Sequence, residues 1–283
     1  MTNLSANQLI IAGLLAGGIA LAAGGLRLLS FSGALAALVI GFFIFGFGGI
    51  PFAVPLLVFF FSSSLLSRIG RTRKAASTAF YDKTSVRDVG QVLANGGAAA
   101  ALAIIAGFQL RSPTPRFTML LFLAAIAAVN ADTWATEIGA LSRSKPLLIT
   151  TLKRVAPGTS GAVSWLGLLA ALFGAAVIPL SAWLAWPARS TILFWRIDPA
   201  EILTVAWAGF VASFADSVLG ASIQAQYQCV RCGATTERRV HCDRPAVQRR
   251  GWRWVTNDVV NFIASLLGVL FAWLILTFAA YPL

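Results

Sequence analysis

Eight runs of apolar residues, each long enough to cross a lipid bilayer, take up most of this chain, at residues 8–26, 30–48, 51–67, 91–110, 117–140, 161–185, 201–224 and 257–280. A helix rising ~1.5 Å per residue needs about 20 such residues to cross a hydrocarbon layer roughly 30 Å thick. Within that layer every backbone N–H and C=O must be bonded internally, and runs of this length do so as helices. The fold class expected is all-α: a polytopic integral membrane protein of about 8 transmembrane helices. It forms a single transmembrane domain over 1–283, with one long polar loop at 225–256. Gly48, Gly49 and Pro51 separate the second run from the third.

Only 11% of the residues are charged, against roughly 25% in soluble domains, which excludes a soluble globular class. The formal charge of +12 would suit a nucleic-acid partner. The basic residues, however, sit in short loops between apolar spans, as membrane topology requires, so no nucleic acid is expected. No basic residue precedes the first run, and no cleavable signal peptide is expected. The nine Trp and twenty Phe suit interfacial belts and lipid-facing spans.

The loops sort by charge. Of the 22 Lys and Arg, eighteen fall in loops one, three, five and seven, none in loop two, and two each in loops four and six. Loops rich in Lys and Arg stay in the cytoplasm. Both termini are therefore expected on the non-cytoplasmic side of the cell's inner membrane. The polar motifs crowd the basic side as well: Ser62–Ser64, Arg87–Asn95, Asp132–Gly139, Gly158–Ser164, Asp216–Gln224 and Asn257–Asn261. Helical spacing puts Gln91 with Asn95, Asn257 with Asn261, Asp132 with Thr136 and Gly139, and Ser217 with Ala221 and Gln224 on shared faces.

Only ten Asp and Glu occur, and Asp132, Glu137, Asp216 and Asp258 lie at the ends of apolar runs. Carboxylates this close to hydrocarbon are costly and usually functional. Mg²⁺ takes oxygen ligands, commonly one or two carboxylates with substrate phosphates and water. Asp132 and Asp216 would serve as such ligands, with Glu137 or Asp258 supporting. Structural ion pairs with Arg87, Lys153 or Arg154, or a proton or cation pathway, are the competing readings.

Three further elements carry candidate chemistry. Lys153-Arg154 followed by Pro157, Gly158, Thr159, Ser160 and Gly161 joins a basic loop to an apolar run. Backbone N–H groups at a helix start would then form an anion site with Lys153 beside it, although an ordinary Pro-Gly turn fits too. Arg87 at the membrane edge could grip phosphate oxygens bidentately. Gln91 and Asn95 either orient a ligand or merely bond neighbouring helices. Arg68, Arg71, Arg73 and Lys74 read as headgroup and topology charge. Finally, Cys229, Cys232, His241 and Cys242 gather every cysteine and the single histidine into one basic loop. They are the ligand types of a structural zinc site, though adjacent His241 and Cys242 make an awkward pair around one ion. A disulfide fits a reducing cytoplasm poorly.

Taken in order, Ser62-Ser63-Ser64, Arg87-Asp88-x-x-Gln91-x-x-x-Asn95-Gly96, Ala131-Asp132-Thr133-x-Ala135-x-Glu137-x-Gly139, Pro157-Gly158-Thr159-x-Gly161, Asp216-Ser217-x-x-Gly220-Ala221-x-x-Gln224, the Cys/His loop and Asn257-Asp258-x-x-Asn261 resemble the integral-membrane family called domain of unknown function 92, or transmembrane protein 19-like. Characterised plant members of that family are phytyl-phosphate kinases, and it is distantly similar to phytol and dolichol kinases. The resemblance implies phosphoryl transfer from a nucleoside triphosphate, CTP or ATP, to a prenyl monophosphate lipid, and the carboxylates read above add Mg²⁺ to it. In that reading Asp132 and Asp216 hold Mg²⁺, with Glu137 and Asp258 supporting. Arg87, Lys153 and residues 158–161 hold phosphates. Gln91, Asn95, Ser217, Gln224, Asn257 and Asn261 line the donor or acceptor. A nucleotidyltransferase making a CDP-lipid and a secondary transporter of an anionic lipid remain as alternatives, and a homo-oligomer is compatible with the sequence.

Overall fold

A computed structural model describes residues 5–70, 86–109, 115–185 and 197–280. Arg71, Arg73 and Lys74 lie outside the described residues. Eight long helices appear among the described residues: α1 (Ala6–Gly25), α2 (Phe31–Phe43, continued by a wider π turn over Ile44–Gly48), α3 (Ile50–Arg68), α4 (Val89–Phe108), α5 (Pro115–Gly139), α6 (Trp165–Ala185), α7 (Pro199–Ser222) and α8 (Asn257–Ala280). All eight are long and apolar enough to cross a membrane. Polar residues at the span edges start them. Ser5 caps α1 and Ser30 caps α2 through their hydroxyls, while Asp88 and Asp198 open α4 and α7 as capping boxes, each satisfying N–H groups the helix leaves unpaired.

The middle of the bundle belongs to α5. Its span is 78% buried, against 22–39% for the other seven. The run Ala124-Ala125-Ile126-Ala127-Ala128 is wholly buried. Small side chains there let neighbouring backbones approach: a Cβ on Gly209 of α7 would meet Ala127, and one on Gly268 of α8 would meet the Ala124 carbonyl. Since lipid offers little hydrophobic drive between helices, close packing of this kind holds them together. Polar ties supplement it. Asn130 is fully buried; its amide donates to the Gly174 carbonyl of α6 at 2.6 Å and its oxygen accepts from Ser62 of α3 at 3.3 Å.

The described ends of the helices tie together in separate groups. Loops one and three are pinned together, because Arg87 N–H donates to the Leu28 carbonyl, Ser30 N–H donates to the Arg87 carbonyl, and the Arg68 guanidinium donates to the Leu26 carbonyl. Loops five and seven join where Ser160 donates to Glu237, and Arg250 ties loop seven back to α7 by donating to the Gly220 carbonyl. Separately, Gln8 reaches the Gly46 carbonyl, and Arg116 pairs with Asp198 at 3.1 Å and Glu201 at 2.7 Å, linking loops four and six.

Two features depart from the all-helical expectation. The sixth helix starts at Trp165 rather than at residue 161, because Ala162–Val163 (β2) pairs antiparallel with Leu147–Leu148 (β1). The polar loop after α7 also folds: Gln226–Gln228 (β3) pairs with Thr235–Thr236 (β4) and Val247–Arg250 (β7), and Val240–His241 (β5) pairs with Arg244–Pro245 (β6).

Candidate functional site

The last turns of α5 place Asp132, Thr136 and Gly139 on one face, and all three line a cavity of about 110 Å³. The shared spacing expected from the sequence thus becomes one wall of a chamber. Ser213 and Ser217 of α7 form a second wall, and Gly158, Thr159 and Ser164 of the β1–β2 hairpin close it. Asp216, one residue from Ser217, is almost wholly buried at 9% exposure. The charges of Asp132 and Glu237 both bear on it. Three acids from α5, α7 and the Cys/His loop therefore converge, although 84 residues separate the first two in the chain.

An amide of α8 reaches Asp216, and an amide of α4 lies beside it. Asn95 of α4 and Asn261 of α8 meet at 3.5 Å across 166 positions of sequence. Turned so that its nitrogen faces the acid, Asn261 donates to Asp216 Oδ2 at 3.1 Å and to the Asn257 carbonyl at 3.3 Å. That orientation follows from the bonding, because its oxygen would otherwise face only acceptors.

Beside the acids lies an apolar groove among α1–α4, of about 80 Å³, which ends at Arg87, Gln91 and Asn95. The Arg87 guanidinium stacks 5.8 Å from the Phe59 ring centroid. Burial pulls its pKa below the ordinary arginine value, and the Glu137 carboxylate opposes that shift. Glu137 thus bears on Arg87, and it does not line the Asp132 cavity. Asp258 sits at the start of α8, where a Cβ on Gly90 of α4 would come within 2.5 Å of its Oδ2. An acid in the first turn also complements the helix dipole.

Several expected placements need correction. Residues 158–161 do not open a helix. They form the hairpin turn before β2, with Gly158 at φ 86° and Gly161 at φ 76°. Gly161 is required there, because a Cβ would run into Ala221 and the Ser217 carbonyl of α7. The anion site imagined at a helix N-terminus is therefore replaced by a turn held against α7. Lys153 is exposed on this hairpin and outside the cavity lining. Gln224 lies beyond the end of α7 at Ser222, so it shares no helix face with Ser217. It is buried and donates to Glu237 at 2.8 Å. Gln91 closes the α4 capping box, its oxygen accepting Asp88 N–H at 3.2 Å, which uses part of its bonding capacity on the helix start. Glu237 went unrecognised in the sequence. Its only signal was being an acid between Cys232 and His241.

The Cys/His loop brings its four ligand atoms within 4.8 Å of one another. Cys232 and Cys242 Sγ are 3.9 Å apart, and His241 Nδ1 lies 3.6 Å and 3.3 Å from them. Tetrahedral zinc with Zn–S of ~2.3 Å sets such sulfur pairs about 3.8 Å apart, so the residues fit the ion. Adjacent His241 and Cys242 both reach it because Cys242 and Asp243 take positive φ of 53° and 58°, folding the chain back on itself. The Cys232 backbone N–H and then His241 pull the Cys229 thiol down to about 6. Burial, then its sulfur neighbours, push Cys242 up to about 11. Thiolates so crowded repel one another without a cation between them. Cys232→Ser is expected to remove bound zinc and to lower Tm by roughly 2–4 °C for each kcal/mol lost. Elemental analysis and a melting curve check this, and wild-type protein free of zinc would end the metal reading.

Fold and site together define a multi-pass integral membrane protein with a polar chamber that Asp132 lines. The chain belongs to the family described as Integral membrane protein DUF92, whose profile matches residues 14–269. It is 33% identical over 233 residues to Protein PGR of Arabidopsis thaliana, covering 77% of this chain and 79% of that one. It is 33% identical over 195 residues to the membrane protein MJ0933 of Methanocaldococcus jannaschii, covering 69% and 74%. To Protein VTE6, chloroplastic, of Arabidopsis thaliana it is 25% identical over 251 residues, covering 88% and 66%. No solved structure matches the chain.

Proposed function

We propose that this protein transfers a phosphoryl group from a nucleoside triphosphate, CTP or ATP, to a phytyl-like prenyl monophosphate, giving the prenyl diphosphate, with the site facing the cytoplasm. The observation that carries the reading is the convergence of Asp132, Asp216 and the Asn95–Asn261 amides beside an apolar groove that ends at Arg87. A lipid phosphate needs such a pairing of apolar groove and charged head. The prenyl tail takes the groove among α1–α4, and Arg87 takes the phosphate at its end.

Mg²⁺, when bound, would neutralise phosphate charge, and the donor set of hard carboxylate oxygens on Asp132 and Asp216 suits it. Glu137 and Asp258 support from the edge, Glu137 by opposing the burial of Arg87. The acceptor phosphate oxygen is already ionised at neutral pH, so no strong base is needed, and positioning dominates catalysis. That oxygen forms a bond to the γ-phosphorus while the bond to the β–γ bridging oxygen breaks, and the nucleoside diphosphate leaves. Thr136, Ser217 and the 158–161 turn line the chamber in which this happens, and Asn257 and Asn261 hold the α8 edge.

Incubating purified protein with prenyl monophosphates and each nucleoside triphosphate, read by mass spectrometry, tests the reading. Prenyl diphosphate plus nucleoside diphosphate supports it. Pyrophosphate with a CDP-lipid would mark a nucleotidyltransferase, and no nucleotide consumption would leave the transporter reading. Arg87→Ala is expected to raise KM for the prenyl monophosphate about tenfold, as loss of a charge-assisted contact does. Arg87→Lys should recover only part, because it lacks the fork. Unchanged KM for both substrates removes Arg87 from the binding site.

A further inference from the structure

A cavity of about 310 Å³ lies apart from the Asp132 chamber, between the Cys/His loop and the start of α8. Its size falls at the lower end of the roughly 300–1,000 Å³ typical of small-molecule sites. Arg238, Arg239 and Arg253 line it together with Gln224 and Asn257. Three guanidiniums face a single lining carboxylate, Glu237, so the cavity is positive overall. The Arg239 guanidinium donates to the Arg253 carbonyl at 3.2 Å, which ties the two arginine-bearing segments together.

A second feature points to a ligand. Tyr227 is only 5% exposed and lines the same cavity. Its buried hydroxyl meets no hydrogen-bond partner among the described residues. Buried hydroxyls are nearly always bonded, and leaving one unmade is costly. Tyr227 lines the cavity with these arginines and amides, and guanidinium forks best grip an anion with several acceptor oxygens.

We infer that this cavity is a polyphosphate-binding site, holding the phosphates of a nucleoside triphosphate against Arg238, Arg239, Arg253 and the Tyr227 hydroxyl. This deepens the phosphoryl-transfer reading and rests on it for the identity of the ligand. Glu237 lies on the wall between this cavity and Asp216, on whose charge it bears, so a donor bound here would reach toward the acids. A metal held by Cys229, Cys232, His241 and Cys242 would order the segment that carries Arg238 and Arg239, both of which fall between Cys232 and His241.

Calorimetric titration of the full chain in detergent with inorganic tripolyphosphate, CTP and ATP tests the site without requiring transfer. Saturable binding is expected, weakened roughly tenfold by Arg238→Ala or Arg253→Ala and partly kept by Arg253→Lys. Tyr227→Phe should weaken binding several-fold while leaving Tm unchanged or raised, since a purely structural hydroxyl would lower Tm when lost. Arg143→Ala, on the exposed segment between α5 and β1, should change nothing. Binding with no transfer keeps this site and overturns the kinase reading. Transfer with donor KM unchanged in the arginine variants overturns the site and keeps the kinase. Binding only to phosphatidylglycerol vesicles, and not to soluble tripolyphosphate, would make the arginines a headgroup patch and overturn the inference.

Discussion

Asp216→Asn is expected to lower Mg²⁺-dependent transfer by about a hundredfold to a thousandfold, the scale of losing one preorganised electrostatic contact at a reacting centre, while the protein still inserts and folds. The stability argument runs in the opposite direction to the activity argument. Asp216 is buried, and the charges of Asp132 and Glu237 both crowd it. Asn keeps the shape of the side chain and removes a carboxyl whose charged form is poorly solvated and repelled by its acidic neighbours. Melting temperature should therefore hold or rise as activity falls. Asp132→Asn should behave likewise. A residue serving only as scaffold would show the reverse, with lower Tm and activity falling in proportion to folded protein. Wild-type turnover in both variants, measured on the folded fraction in detergent, would take the pair out of the site.

Gly161→Ala is expected to cost the fold about 2–4 kcal/mol, adding the strain of a non-glycine residue at positive φ to that of overpacking. The added methyl has nowhere to go, since it would meet backbone of Ser217 and Ala221 rather than the end of a flexible side chain. The hairpin must lift from α7, and the closure of the chamber by Gly158 and Thr159 goes with it. Loss of folded protein, or a large fall in Tm with weakened substrate binding, is the expected result. Native Tm and native kinetics would mean that the hairpin is not held against α7 as the structure has it. Gly158→Ala is a useful comparison, because it tests positive φ of 86° at the adjoining turn position.

Much of the membrane plan was legible. Span boundaries follow from the length of apolar runs, and Gly48-Gly49-Pro51 stops the second helix where the structure ends it, with Gly49 at positive φ. The sixth helix shows the limit. Gly161-Ala162-Val163 continues an apolar run, and an apolar run alone does not distinguish a short strand from the first turn of a helix. Only pairing with Leu147–Leu148 makes it a strand. Gln224 was assigned to a face of α7 by spacing that holds only while the helix lasts, and α7 stops two residues earlier. The Cys/His ligand set was visible as composition, yet His241-Cys242 looked awkward because two positive-φ residues are not readable from neighbours.

Glu237 and Tyr227 illustrate what periodicity leaves unseen. Neither repeats with a helix or marks a motif. Each matters only through what the fold brings together: Gln224 and Ser160 at Glu237, and the cavity that Tyr227 shares with three arginines.

The amino-acid order by itself determined eight crossings, the separation of basic loops onto one face, and the acids, amides and sulfur ligands available there, because bilayer thickness and backbone bonding act on local stretches of chain. Only the tertiary structure decided that Asp132 faces Asp216, that Glu137 instead attends Arg87, and that a turn rather than a helix end closes the chamber. Those pairings depend on close packing around α5 between residues far apart in sequence, where small side chains set which helices can touch.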